Sequence, residues 1–238
     1  MPSGNAKIVS FSGIDGAGKS TQIEALRVYL QELGLSSKLY TFWDDVVVLS
    51  RFRERVSLSV FKGDRGVGSP DRPIVRRDKN VSSWYVTAFR LFLYMMDACH
   101  LCMMATAPGS EADVVIFDRY IYDELSNLQL KSRLARFYIR ALLKFTPDPE
   151  IAFLLDAEPE AAYVRKPEYP LEFVRDNREN YLRLARLVGM TVVPALPIEE
   201  AKANMLASVS KLLSGSSKQV QAEGNHSGAE DPIKSTIV

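Results

Sequence analysis

Gly13-Ile14-Asp15-Gly16-Ala17-Gly18-Lys19-Ser20-Thr21 is the stretch on which the reading of this chain turns. Its spacing, G-x-x-x-x-G-K-[ST], lets successive backbone N–H groups curl around phosphate oxygens. Lys19 then reaches the β- and γ-phosphates, and the Ser20 hydroxyl ligates Mg²⁺. The flanks agree with this reading. Lys7-Ile8-Val9-Ser10-Phe11-Ser12, just before the loop, reads as a buried parallel strand. Ile23, Leu26 and Leu30, just after it, recur at helical spacing, and Gly34 marks a helix end. A helix starting at the loop adds unsatisfied N–H donors and a partial positive charge. Strand, glycine loop and helix together imply binding of a nucleoside triphosphate, without saying what the phosphate is used for.

Composition narrows the classes. At 238 residues the chain accommodates one α/β domain with a full core, or two small domains. A formal net charge of +1 supplies no basic field for a nucleic acid polymer. The two cysteines, Cys99 and Cys102, lie in an apolar helical pattern with His100 as the one further ligand nearby. That is too few for zinc and reads as core thiols in a reducing compartment. Met1 to Lys7 is short and polar, unlike a signal peptide. The apolar run Leu91 to Ala107 is broken by Asp97 and His100 and is short for a bilayer. A cytoplasmic protein without membrane contact is expected.

Apolar strand segments alternate with helical ones. Strands are expected at Lys7–Ser12, Ser37–Phe42, Asp113–Phe117, Ile151–Leu155 and Thr191–Pro194. Helices are expected at Ser20–Leu33, Ser83–Ala107, Lys131–Lys144, Glu158–Tyr163, Leu171–Leu187 and Ile198–Leu213. The alternation points to an α/β fold, a parallel sheet with helices on both faces. The 83–107 helix is apolar on almost every side, with Trp84, Phe89, Phe92, Met95 and Met103 among its residues. Either a second subunit or the core of a monomer would cover it. Ser214–Val238 turns polar without periodicity and reads as a disordered tail, leaving one domain over 1–213.

Val114-Val115-Ile116-Phe117 runs into Asp118-Arg119-Tyr120. An acid at the end of a strand beside the loop is placed to assist Mg²⁺, which assigns Ser20 and Asp118 to the metal. Arg119 then faces the transferring phosphoryl group, where fixed positive charge stabilises developing negative charge.

With these motifs on view, the chain resembles the thymidylate kinases. The likeness rests on Gly13–Thr21 with its acidic Asp15, on Asp118-Arg119-Tyr120, and on Leu154-Leu155-Asp156 followed by a short basic segment. Glu172-Phe173 with Arg178 and Tyr181 completes it, in the pattern E-F-x-x-x-x-R-x-x-Y. It spans residues 5–212, unevenly. The resemblance implies a P-loop NTPase three-layer sandwich around a five-stranded parallel sheet, often dimeric. It implies transfer of the γ-phosphoryl group of ATP, with Mg²⁺, to a nucleoside monophosphate, dTMP. Asp15 would help hold the acceptor, and Arg119, with Tyr120 beside it, would contact the acceptor phosphate. A lid over 160–169 would close on ATP. Because the loop carries no arginine, Arg165 of the lid would bring in transition-state charge, with Lys166 beside it.

The chain also departs from the family pattern. An arginine-and-proline phosphate clamp usually follows the second strand, where this chain has Tyr40-Thr41-Phe42-Trp43-Asp44-Asp45. The position of the base-reading arginine on the long helix aligns with Asp97, and Arg90 lies two turns earlier on much the same side. A carboxylate accepts where a guanidinium donates. The 46–81 segment, with Arg76-Arg77 and Lys79 near its end, has no counterpart and carries a surplus of cations. These departures leave open a kinase for another small acceptor, a nucleoside or sugar, or an ATP-binding regulatory protein that has lost its acceptor.

Overall fold

The computed structural model describes residues 6–48, 84–106, 112–128, 130 and 132–224. The cation-rich 46–81 segment lies outside the described residues from residue 49 on. So do Pro108 and Gly109, which follow the expected 83–107 helix in sequence.

The chain runs β1 (Lys7–Ser12), α1 (Lys19–Glu32), β2 (Ser37–Thr41), a single π-helical turn (Phe42–Val46) and α2 (Trp84–Thr106). Then come β3 (Val114–Asp118), α3 (Ile121–Leu125), α4 (Arg133–Leu143) and β4 (Ile151–Leu155). The chain continues through α5 (Pro159–Arg165), α6 (Leu171–Val188), β5 (Thr191–Val193) and α7 (Ile198–Gly224). The strands form one five-stranded sheet in the order β2-β3-β1-β4-β5. Every pairing is parallel, with Val9 opposite Ile116 and Ile151.

Alternation along each strand feeds two cores. Val9, Phe11, Val114, Ile116, Phe153 and Leu155 pack with α1 and α7 on one face. Val115, Phe117 and Leu154 pack with α2, α3, α4 and α6 on the other. A parallel strand buried on both faces needs apolar residues at nearly every position, as β3 (VVIFD) and β4 (IAFLL) have; β2 (SKLYT), at the sheet edge, is polar and only partly buried. The Phe11 and Phe153 rings stack at 5.3 Å, tying β1 to β4; truncating either would cost about 3–5 kcal/mol. The three-layer α/β fold expected from the alternation is the fold observed.

Central β1 has β3 on one side and β4 on the other, so the chain switches direction of winding there. Ligands of open α/β sheets bind outside the carboxyl ends of the strands at such a point. The glycine loop leaves β1 at that end.

Two expectations are corrected. The tail expected to be disordered from Ser214 begins as helix, because α7 continues to Gly224. The Ser214 hydroxyl donates back to the carbonyls of Ser210 and Lys211, and Lys, Gln, Ala and Glu beyond it are compatible with helix. Phe42, expected to end β2, instead opens the π turn, closed by Val47 N–H to the Phe42 carbonyl at 3.0 Å. Among the described residues no helix is long and apolar enough to cross a membrane.

Candidate active site

The loop between β1 and α1 is shaped by close approach. A Cβ at Gly13 would lie 2.5 Å from the Leu155 carbonyl oxygen, and one at Gly16 would lie 2.5 Å from that of Ala162. Both glycines also hold positive φ, 144° and 81°, which L side chains rarely adopt. The loop therefore lies directly against the end of β4 and against α5. No side chain caps α1, whose N-cap is Gly18, and its first turn holds no acid. Ser20 and Thr21 are exposed there, so the unsatisfied N–H groups of that turn face the loop side open to a ligand.

Lys19 folds back into the loop. Its Nζ donates to the carbonyls of Gly13 and Ile14, both at 2.9 Å, and its side chain is buried. Burial, and then the Arg119 charge, bring the ammonium down to about 8. Asp123, Asp15 and Asp118 pull the other way.

Arg119 is the second cation of the site. Among the described residues it is the one non-glycine with positive φ, at 69°. That conformation costs about 1–3 kcal/mol and persists only where the surroundings hold it. Its N–H donates to the Phe11 carbonyl of β1 at 2.9 Å. One guanidinium nitrogen bonds Asp15 of the loop and the other bonds Asp123 of α3 at 3.0 Å. The Asp15 carboxyl is held below the usual range: burial raises it, but Arg119, Lys19 and Lys166 outweigh that. Asp118 pairs in register with Phe11, beside the loop. Loop, Lys19, Asp118 and Arg119 thus meet at one edge of the sheet.

The Tyr120 side chain is not at the cleft. It is fully buried, and its hydroxyl donates to the Pro147 carbonyl at 2.6 Å, pinning the strand end to the core.

Beyond β4, Asp156 accepts both arms of Arg178 of α6, at 2.7 and 2.8 Å. Arg175 bonds Glu160 with Nε and Nη2, at 2.9 and 2.6 Å. These pairs tie α5, the expected lid helix, to α6. The expected lid cation is not the one nearest the loop. Arg165 is exposed and its Nε donates to Ala161 one turn back on its own helix. Lys166 Nζ instead lies 4.0 Å from Asp15 Oδ1 and 3.1 Å from Glu168. The helix ends at Arg165, so the next residue leaves the helical path toward the loop.

On the acceptor side, α2 carries Arg90, half-buried, and Asp97, fully buried. Asp97 Oδ1 accepts the Val48 N–H at 2.8 Å, and His100 Nδ1 lies 2.7 Å from the Val46 carbonyl. Asp97 therefore fastens the segment after β2 to α2 and does not project as an open base-reading group.

The residue that sequence reasoning missed is Asp123. An acid inside the apolar run Ile121-Tyr122-Asp123-Glu124-Leu125 was the available signal, but a run that short shows no helical period.

No protein-family model matches the chain. Curated relatives do. A probable thymidylate kinase of Pyrococcus abyssi is 28% identical over 220 residues, spanning 87% of this chain and 97% of that protein. One of Archaeoglobus fulgidus is 26% identical over 202 residues, 82% of this chain and 90% of the relative. The thymidylate kinase of Chlorobaculum tepidum is 31% identical over 166 residues, 67% of this chain and 66% of its own length. These likenesses run over two thirds or more of this chain. By fold and by relatives together, the chain belongs to the thymidylate kinase family.

Proposed function

We propose that the protein is a phosphotransferase that moves the γ-phosphoryl group of ATP, with Mg²⁺, onto a nucleoside monophosphate, dTMP. The observation that carries this reading is the meeting of an uncapped, glycine-shaped loop with a fixed arginine at the same strand ends. The chain's residues fit a magnesium-bound triphosphate. Gly13 and Gly16 leave no room for a Cβ, and Lys19 is buried against neutral carbonyls where added negative charge is favourable. Gly13, Gly16, Ala17, Gly18 and Thr21 would line the phosphates, with Ser20 and Asp118 holding the metal. Bound magnesium would neutralise charge on the β- and γ-phosphates.

The protein residues then do positioning and electrostatic work. Lys19 holds the terminal phosphates, and Arg119 holds the acceptor phosphate in line with them. Asp15, freed from Arg119 as the acceptor arrives, orients the acceptor. Lys166, with Arg165 beside it, brings lid charge to the loop, and Arg90 is the cation of α2 available to the base. Closure of α5 over the loop excludes the water that would otherwise take the phosphoryl group.

A second reading has one observation behind it: Asp97 stands where the family reads thymine and is committed to Val48. A kinase for another small acceptor would follow. A coupled ADP-release assay with ATP, Mg²⁺ and each common monophosphate and deoxymonophosphate separates the two. Preference for dTMP supports the first reading; a flat response across monophosphates, with turnover on a nucleoside or sugar, replaces it.

A homodimer through α2 is part of the proposal. Phe89, Phe92 and Met103 are 45, 59 and 61% exposed on that helix, and aromatic residues and Met are the types enriched at subunit interfaces.

A further inference from the structure

Four hydrogen-bond donors converge on Asp123, a residue with no role assigned above. Its side chain is 1% exposed. Oδ1 accepts from Arg119 Nη1 at 3.0 Å and from the Tyr181 hydroxyl at 2.7 Å. Oδ2 accepts from the Ser12 hydroxyl at 2.6 Å and from the Tyr120 N–H at 3.1 Å. We propose that Asp123 is the positioning residue for phosphoryl transfer, fixing the direction in which Arg119 presents its guanidinium to the acceptor. The inference deepens the proposed function and rests on it for the role of Arg119.

A carboxylate has about four lone-pair positions, and here all are taken. The donors come from β1, from the turn after β3 and from α6, so the carboxylate cannot swing without breaking bonds to three parts of the fold. Arg119 is therefore held differently at its two ends. Its Asp123 end is bonded to a buried rigid point; its Asp15 end is bonded to a carboxylate that is 25% exposed on the loop. When an acceptor phosphate competes for the guanidinium, the Asp15 contact is the one able to exchange.

Asp123 also acts on the backbone. The strained Arg119 has its own N–H on the Phe11 carbonyl, and the next N–H, of Tyr120, is on Asp123. Both peptide units flanking the left-handed residue are thus fixed, one by β1 and one by this carboxylate. Tyr181, the last residue of the E-F-x-x-x-x-R-x-x-Y pattern, acquires a function here: it supplies one strut from α6.

Asp123→Asn keeps the shape but offers a single acceptor oxygen. The hydroxyls of Ser12 and Tyr181 can turn to accept, whereas Tyr120 N–H and Arg119 cannot, so one of those two faces an amide NH₂. The test uses the full chain in two arms. In the first, the Arg119 Nη1–H resonance, assigned by its loss in Arg119→Lys, is followed by NMR without any ligand. Its exchange with water is expected to be at least about tenfold faster in Asp123→Asn. In the second, KM for dTMP is expected to rise about tenfold while KM for ATP stays within about twofold. In the Arg119→Lys background Asp123→Asn should add no further rise. Unchanged Arg119 exchange, or both KM values rising together, overturns the proposal. Wild-type protein that transfers to no monophosphate overturns the proposed function alone, and the NMR arm still decides the positioning. If Asp123→Asn does not fold, Tyr181→Phe gives the same two readouts at about threefold.

Discussion

Lys19 closes the loop, starts α1 and carries a proton whose affinity the protein has lowered. Burial, ahead of the Arg119 charge, sets its pKa at about 8 in place of 10.5. A polyanion bound against it favours the charged form, so nucleotide binding raises that value again. Where the free protein has already lost the proton, binding must take one up. Proton uptake on ATP binding is therefore predicted to grow from about pH 7 to about pH 9, and affinity to fall over the same range. Calorimetry in buffers of different ionisation enthalpy measures it; uptake that does not grow with pH would contradict the assignment. Lys19→Ala is expected to remove turnover by about 10³-fold or more while the circular dichroism spectrum is kept. At this scale the sequence was informative wherever a residue type is tied to a spacing, as with Gly13, Gly16 and Lys19. It was silent where a side chain's role depends on what packs on it. Tyr120 and Asp97 turn inward to Pro147 and Val48, partners distant in sequence.

Elements carry the next level. The chain's most specific helix motif turns out to be a pair of fasteners: Arg178 grips Asp156 after β4, and Tyr181 grips Asp123 after β3. Arg178→Lys cannot reproduce the two-armed contact and is predicted to cost roughly 1.5 kcal/mol, the low end for a charge-assisted bond because the pair is partly exposed. That corresponds to a drop of about 3–6 °C in Tm. Because Asp156 leads into α5, KM for ATP should rise as well; a change in Tm alone would mean the contact does not set the lid. Gly16→Ala pushes a Cβ onto the Ala162 carbonyl of α5. Its predicted effect is larger on kcat/KM for ATP than on stability, measured by initial rates and thermal melting. β1 and β4 were legible to the residue, since each is an apolar-rich run beside a turn and too short for a helix. α3 was not, because a helix from Ile121 to Leu125 completes little more than one turn and leaves no periodic trace. The end of α7 was missed for the opposite reason: the sequence past Leu213 is polar and has no apolar period that would mark a helix.

For the whole molecule, the sheet order puts β1 between β3 and β4, so residues 13–21, 118–123 and 156–166 gather at one end. Three motifs far apart in sequence become one site through that topology alone. The alternation of strands and helices was enough to read this, whereas much of the acceptor half was not legible, since Tyr120 and Asp97 turn inward and the cation-rich stretch from residue 49 lies outside the described residues. The exposed Phe92 of α2 offers a test of assembly: Phe92→Asp is predicted to convert a dimer to a monomer in analytical ultracentrifugation, and a wild-type monomer would remove the interface. The central claim is that the gathered residues transfer a phosphoryl group to dTMP and do not merely hydrolyse ATP. Incubation of the protein with γ-labelled ATP, Mg²⁺ and dTMP tests this most directly. The account predicts label in dTDP, lost in Lys19→Ala and cut by about 10²-fold or more in Arg119→Ala; label released only as inorganic phosphate would contradict it.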